Sequence, residues 1–249
     1  MTEQKRDFPD FYITAPQPCP YLPGRRERKV FTHLTSDKPV TVVDHLLRTG
    51  FRRSQNIAYT PYCEGCNACV SVRVIVDEFE PRRSFRRNLE LNYDIVARRR
   101  PAVVNEEHYA LFRDYIAFRH GDGGMADMSV NDFAMMVQDS PLETSLTEYR
   151  RRIPGGLSSE FHKWPLLGAA LCDRLSDGVS MVYSFYDTEQ QARGLGTYAI
   201  LDQIDEARRQ GLPYVYLGYW VDGSRKMSYK SRFQPQERLT QTGWVRVSP

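Results

Sequence analysis

Val179-Ser-Met-Val-Tyr-Ser-Phe-Tyr186, then Gln191-Ala-Arg-Gly-Leu-Gly-Thr197, then Tyr198-Ala-Ile-Leu-Asp-Gln-Ile-Asp-Glu-Ala-Arg208 is the stretch whose reading decides the fold. The first piece is a short apolar and aromatic run, the second carries two glycines, and the third has helical periodicity. The order is therefore strand, glycine-rich turn, helix. Glycine lets a backbone come close to a ligand, and the first turn of a helix offers unpaired N–H groups to an anion. Tyr214-Val-Tyr-Leu-Gly-Tyr-Trp220 reads as the next buried strand and runs into Ser224-Arg-Lys-Met-Ser-Tyr-Lys-Ser-Arg-Phe233. An anion cradle thus lies beside an aromatic strand end and a cationic segment. A tight strand-to-helix connection without a ligand would have the same spelling. Lys226 and Lys230 would share one face of a helix with Arg225 and Tyr229 nearby, either as a solvated face or as cations for phosphate or carboxylate.

Working outward, Lys163 to Asp173 is a further apolar strand, and Ser129-Val-Asn-Asp132 has the form of a capping box for a helix over 133–139. Glu106 to Arg119 is helical in pattern and ends at the loop Gly121-Asp-Gly-Gly124, with His120 beside it. Arg98-Arg-Arg-Pro101 reads as a join between domains. On its N-terminal side, Val40 to Arg48 carries a helical stripe stopped by Gly50, and Phe51 to Tyr59 alternates as one strand. Val70 to Phe79 is a second strand, with valines at 70, 72, 74 and 76. Pro81 to Arg87 is a basic turn that begins a short helix. The fold class expected is α/β (α+β). The organisation expected is an extended arm over 1–18, a cysteine-bearing α/β module over 19–100 and a larger α/β domain over 101–249.

Cys63, Cys66 and Cys69 fall within seven residues between the two N-terminal strands, and Cys19 could add a fourth thiolate. Four thiolates suit zinc or an iron–sulfur cluster, whereas inert buried thiols would need no metal. Five cysteines and no secretion signal argue against a disulfide framework. Cys172, in a strand, is most simply core.

Of the 34 basic residues 28 are Arg and six Lys. From 48 to 100 there are eleven Arg (48, 52, 53, 73, 82, 83, 86, 87, 98, 99, 100) against six acidic residues (Glu64, Asp77, Glu78, Glu80, Glu90, Asp94). Guanidinium groups suit phosphate, and their clustering points to an RNA partner, although an arginine excess can also be a solvated surface. With 41% hydrophobic and 26% charged residues the chain is ordinary for a soluble protein. It has no run of about 18 apolar residues and its start lacks an apolar leader, so a cytoplasmic protein without a membrane partner is expected. His33, His45, His108, His120 and His162 are scattered, and no zinc-protease, Walker or kinase pattern occurs.

Gln191-x-x-Gly194-x-Gly196 resembles the phosphate-binding turn of the GNAT acyltransferase fold. The resemblance extends much further. Pro-Cys19-x-Tyr-Leu-Pro-Gly-Arg, Tyr-Cys63-x-Gly-Cys66-x-Ala-Cys69-x-Ser-Val-Arg73, Phe-x-Pro-x-Arg-Ser84-x-Arg-Arg87-Asn and Leu-Pro-Tyr-Val-Tyr-Leu-Gly-Tyr-Trp220 with Lys-Met-x-Tyr-Lys230 resemble the aminoacyl-tRNA–protein transferases. Among these the short bacterial aspartate/glutamate leucyltransferases, relatives of the eukaryotic arginyltransferases, are the most similar. The resemblance spans roughly residues 10 to 240 and implies a GNAT-like C-terminal domain. It implies leucyl-tRNA as donor and proteins or peptides with N-terminal Asp or Glu as acceptors, the product being marked for degradation by the N-end rule. No cofactor is required by that reaction. Eukaryotic relatives can carry an iron–sulfur cluster on N-terminal cysteines, with a spacing unlike Cys63, Cys66 and Cys69.

On this reading Gln191, Arg193, Gly194, Gly196, Trp220, Lys226 and Lys230 hold the aminoacyl-tRNA end. Tyr219 lines the leucyl site, with Asp187 or Tyr183 assisting the amine. Acidic acceptors need a cation, for which Arg25, Arg53 and Arg73 are candidates. The leucyl ester is already activated, so positioning and oxyanion stabilisation carry the chemistry. Three alternatives stay open: arginine as donor, a coenzyme A-dependent N-acetyltransferase, and a non-catalytic zinc- or RNA-binding module.

Overall fold

The computed structural model describes residues 9–35, 38–120 and 125–247. The first part of the expected arm, the loop 121–124 and the side chain of His120 lie outside the described residues. From the N-terminus come β1 (Tyr12–Ile13), β2 (Gln17–Pro18), β3 (Arg26–Glu27), β4 (Lys29–His33), α1 (Val40–Arg48), β5 (Arg52–Ser54) and β6 (Ile57–Pro61). They form a sheet of order β1-β4-β6-β5 and a small pair β2-β3. Helix α1 follows the predicted stripe and buries Val43, Leu46 and Leu47. The single strand expected over Phe51–Tyr59 is a hairpin instead. Gln55, at φ 52°, turns the chain between β5 and β6, which the alternating pattern alone does not announce.

The rest of the chain supplies β7 (Cys69–Ile75), α2 (Arg83–Leu91), β8 (Ile95–Pro101), α3 (Glu106–His120), α4 (Val130–Gln138), β9 (Thr144–Arg151), β10 (Leu166–Leu175), β11 (Gly178–Tyr186), α5 (Leu195–Arg209), β12 (Tyr214–Val221), β13 (Gln236–Thr240) and β14 (Gly243–Val247). The eight strands make one sheet, ordered β14-β13-β7-β12-β11-β10-β9-β8. β7 is inserted between β12 and β13, and β8 closes the opposite edge. β7 precedes residue 101 and β8 runs through it, so the sheet crosses the boundary expected at 100/101. Arg98-Arg-Arg is accordingly the edge strand of the large sheet, where exposed charge discourages further pairing.

The alternation along β10 divides the core. Ala170 and Cys172 face α5, with Phe85 of α2 in the same cluster, while Ala169 and Leu171 face α3 and α4. Helix α4 starts on the expected capping box, Ser129 with Asp132. A third cluster joins α1 to the large sheet through Leu46, Leu47, Leu142, Leu175 and Tyr216. No helix among the described residues is long and apolar enough to cross a membrane.

Candidate active site

β11 and β12 are the parallel neighbours joined by α5, and they pair only from Gly178↔Tyr214 to Ser180↔Tyr216. Beyond that they part. Arg52, at the start of β5, enters there and donates to the carbonyls of Met181 (2.6 Å) and Val182 (3.2 Å). These carbonyls would otherwise lack strand partners. Across the gap, Gly218 has φ 77°, and a Cβ built on it would lie 2.7 Å from Arg52 Nε. Only glycine admits both that conformation and that guanidinium.

Tyr219 follows. Its hydroxyl donates to the carbonyls of Gly50 (3.0 Å) and Tyr59 (3.2 Å), anchoring the N-terminal sheet to β12. Its own carbonyl accepts from Lys230 Nζ at 2.7 Å. Lys230 is buried, and desolvation, reinforced by the charge of Arg52, lowers its ammonium to about 7. Lys226 is exposed, so the two lysines do not share a face. The segment is a short 3-10 turn, Ser228–Arg232, rather than the helix their spacing suggested. Trp220 is half-buried beneath the Arg238 guanidinium, 3.9 Å from its ring centre.

The glycine turn begins at Asp187, whose Oδ1 accepts from the Glu189 N–H at 2.9 Å. A 3-10 segment, Thr188–Arg193, leads to Gly194 in the left-handed conformation (φ 59°), the residue that caps α5. Asn88 and Asn92 of the α2 end clamp this turn by donating to the Arg193 carbonyl at 2.8 and 2.9 Å. A Cβ on Gly194 would meet the Asn88 amide, and one on Gly196 the Tyr186 ring at 3.0 Å. The glycines are thus required by close packing around the turn, and the Gly194 carbonyl starts α5 by accepting from the Thr197 and Tyr198 N–H groups. Gln191 is exposed, and its carbonyl accepts from the Gly194 N–H. Arg193 is paired to Asp94 through two bonds of 2.7 and 2.9 Å, so its fork serves the turn.

A cluster of tyrosines adjoins this turn. Tyr115 of α3 lies 4.9 Å, ring to ring, from Tyr186 and 6.4 Å from Tyr183. Arg119, exposed at the end of α3, donates to the Tyr186 hydroxyl at 3.0 Å. Among the described residues the Tyr183 hydroxyl, which is buried, has no hydrogen-bond partner. Burial pushes the Tyr115, Tyr183 and Tyr229 phenols up, so all stay protonated. The cations that act on Tyr229 are Arg52 and Arg119, and Arg52 acts on Lys230. Sequence reasoning passed over Arg52, Tyr115, Arg119 and Tyr186. Tyr115 and Arg119 read as part of an amphipathic helix, and nothing in the pattern marks which end of α3 approaches β11.

The cations expected to read an acidic acceptor lie elsewhere. Arg53 donates to Asp173 at 2.6 and 2.9 Å, both side chains being 0% exposed, so an incoming carboxylate has no access. Arg73 is bound to Glu237 at 2.6 Å and to the Tyr216 hydroxyl at 2.8 Å, with Asp177 beyond. A guanidinium inside the sheet at β7 has to be satisfied in this way. Arg25 stays accessible, in a cavity of about 480 Å³ lined also by Arg26, Arg28, Glu64 and Cys66. Its guanidinium donates to Cys66 Sγ at 3.1 Å.

The four N-terminal thiols are neighbours. Burial and then Cys19, Cys63 and Cys66 push Cys69 up to about 12, whereas the Ala68 N–H and Arg25 lower Cys66. Yet among the described residues no group of three or more His, Cys, Asp or Glu side chains is disposed to hold a metal ion. A metal would also have to displace the Arg25 cation from Cys66. The residues as arranged do not fit zinc or a cluster, and no chemistry is routed through one.

Comparison with known proteins bears on this geometry. Residues 17–87 match the family model "Arginine-tRNA-protein transferase, N terminus" and residues 107–240 match "Arginine-tRNA-protein transferase, C terminus". An aspartate/glutamate leucyltransferase of Xanthobacter autotrophicus is 60% identical over 247 residues, 99% of each chain. One from Bradyrhizobium sp. is 58% identical, covering 99% of this chain and 95% of the relative. Among solved structures, FemX superposes with a TM-score of 0.52 at 11% identity, over 84% of this chain and 69% of that one. The fold is thus of the mixed α/β type, with a large mixed sheet, that FemX shares.

Proposed function

The chain belongs to the arginine-tRNA-protein transferase family, and on that premise we propose that it transfers leucine from leucyl-tRNA to the α-amino group of proteins that begin with Asp or Glu. The observation that carries the reading is identity of about 60% over the full length of leucyltransferases. The site geometry supports it. The N-terminus of α5 would hold a phosphate of the tRNA acceptor end, with Gln191, Gly194 and Gly196 shaping that turn. The leucyl ester would enter between β11 and β12, lined by the backbone of Gly218 and Tyr219 and by Trp220. Lys226, exposed nearby in sequence, would add a cation for the tRNA.

In the reaction the acceptor α-amine nitrogen bonds to the leucyl carbonyl carbon, and the ester C–O bond to the terminal ribose breaks. The proton lost by the amine ends on the ribose hydroxyl. The Asp187 carboxylate, with one oxygen used as a cap, would accept from the incoming ammonium. An N-terminal amine has a pKa near 8, so removing its proton needs little help. Arg52 would lend positive potential to the oxyanion. The ester is already activated and no cofactor is needed. Charged tRNA is a cytoplasmic substrate, so the enzyme would act in the cytoplasm, and a new N-terminal leucine would mark its targets for degradation.

Labelled leucine and labelled arginine, each on its tRNA, should be offered with peptides beginning with Asp, Glu or Ala. Transfer of leucine to the two acidic peptides alone is expected. Transfer of arginine instead would change the donor, and no transfer from either, joined to thermal stabilisation by coenzyme A, would replace the reading with an N-acetyltransferase.

A further inference from the structure

Resting on the transferase reading, we propose that Arg119 is the residue that reads the acidic side chain of the acceptor. Its guanidinium, tethered by Tyr186, receives the side-chain carboxylate of an N-terminal Asp or Glu, and the Tyr183 hydroxyl supplies a second donor.

Among the described arginines around the strand gap and the glycine turn, Arg119 is the one without a carboxylate or backbone-carbonyl partner. Arg53 and Arg73 are closed by Asp173 and Glu237, Arg193 by Asp94, and Arg52 by the β11 carbonyls. Arg119 forms no ion pair among the described residues; its guanidinium is held by the Tyr186 hydroxyl at 3.0 Å and also by Tyr115, two hydroxyl contacts that orient the fork while the residue stays exposed. The same Tyr186 ring packs on Gly196 at the start of α5 and on Tyr115, so Arg119 is fixed relative to the donor turn.

The tyrosine cluster beside it has an unmet polar group. Among the described residues the buried Tyr183 hydroxyl has no partner, a deficit that a folded protein tolerates where a ligand completes it. A carboxylate does so, accepting from the guanidinium in fork geometry and from the phenol at once. Phosphodiester backbone is the other anion at hand. It calls for a track of open cations, whereas Arg119 stands among Tyr115, Tyr183, Tyr186 and Tyr229, rings that enclose a short side chain.

The test is steady-state leucine transfer by the full-length enzyme, with peptides beginning with Asp, Glu, Asn and Ala varied at fixed leucyl-tRNA, and then the reverse. For R119Q, KM for the Asp and Glu peptides is expected to rise about ten- to a hundredfold, the worth of a hydrogen bond to a charged group. The preference for Asp over Asn should collapse toward one, and KM for leucyl-tRNA should stay within about twofold. R119K keeps the charge without the fork and should recover part of the preference. Y183F should weaken Asp and Glu binding less, without altering the tRNA arm. Should R119Q unfold, shown by its thermal transition, R119K and Y183F decide the matter. An unchanged Asp/Asn ratio in the folded variants would overturn the proposal. So would a rise confined to KM for leucyl-tRNA, which would make Arg119 a phosphate contact. If the wild-type enzyme transfers no leucine to acidic peptides, the parent reading fails, a result distinct from either.

Discussion

Lys230 shows how much a single residue can carry. Its ammonium sits in the core against the Tyr219 carbonyl, at about 7 instead of the 10.5 of a free lysine. Between those values the unfolded chain binds a proton that the native state does not, so wild-type stability should rise with pH from about 7 to 10.5, by roughly 1.4 kcal/mol per unit at most. It should be lost again as pH falls to 7. Lys230→Met removes the proton and should flatten this slope. Urea midpoints of both proteins at pH 6.5 and 9.5 check it, and equal slopes would show that Lys230 is solvated. Gly218 is the second case. Gly218→Ala forces an L residue to φ 77° and drives Cβ into Arg52, so a cost of about 1–3 kcal/mol is expected, together with loss of transfer as Arg52 shifts. The residue types were legible from the sequence. Lys226 and Lys230 stood out among many arginines, and Gly194 and Gly196 marked the turn. What the letters did not carry was which guanidinium forks are already taken. Arg53 and Arg119 spell the same residue, yet one is sealed against Asp173 and the other is open.

At the scale of elements, strong periodicity survived and polar strands did not. Helices α1, α3 and α5 and strands β10 to β12 lie where alternation and stripe place them. β9, with Thr144-Ser-Leu-Thr-Glu-Tyr-Arg-Arg, goes unassigned in the sequence because Glu148 and Arg150 break its apolar pattern. The fold hides both charges: His108 and Arg150 hold the Glu148 carboxyl down at about 2 despite burial, and Arg150 also binds Glu107. Pairing of this kind is long-range and leaves no local trace. The capping box of α4, by contrast, is local and was readable. Ser129→Ala should cost about 1 kcal/mol, seen as a lower melting temperature with unchanged transfer. The clamp on the glycine turn belongs to this scale too. Asn88→Ala removes one of the two amide donors to the Arg193 carbonyl and the side-chain donor to that of Gly194, leaving Asn92 to hold the turn alone, and KM for leucyl-tRNA should rise severalfold while KM for the peptide does not.

Across the whole molecule, the two family segments are interleaved. β7, contributed by the N-terminal segment, is hydrogen-bonded to β12 on one side and β13 on the other, so the large sheet is incomplete without it. Arg52 and Arg53, adjacent on β5, tie the small sheet to β11 and β10, and Tyr219 returns the tie from β12. The sequence suggested a boundary at 100/101 because Arg-Arg-Arg-Pro resembles a linker, and strand insertion across a boundary has no signature in composition. The consequence concerns how the protein folds. A fragment of residues 101–249 would expose the edges of β12 and β13 and the apolar face that Val72 and Val74 cover. Unpaired strand edges with apolar flanks associate rather than stay monomeric. Expressed alone, that fragment should give no cooperative denaturation transition, while co-expression with residues 1–100 should restore one, with leucine transfer. Asp173→Asn in the intact chain should show the same dependence in milder form, losing about 3–5 kcal/mol by leaving Arg53 charged and unpaired in the junction. A cooperative, monomeric transition for the isolated fragment would mean that β7 docks onto a sheet already formed without it.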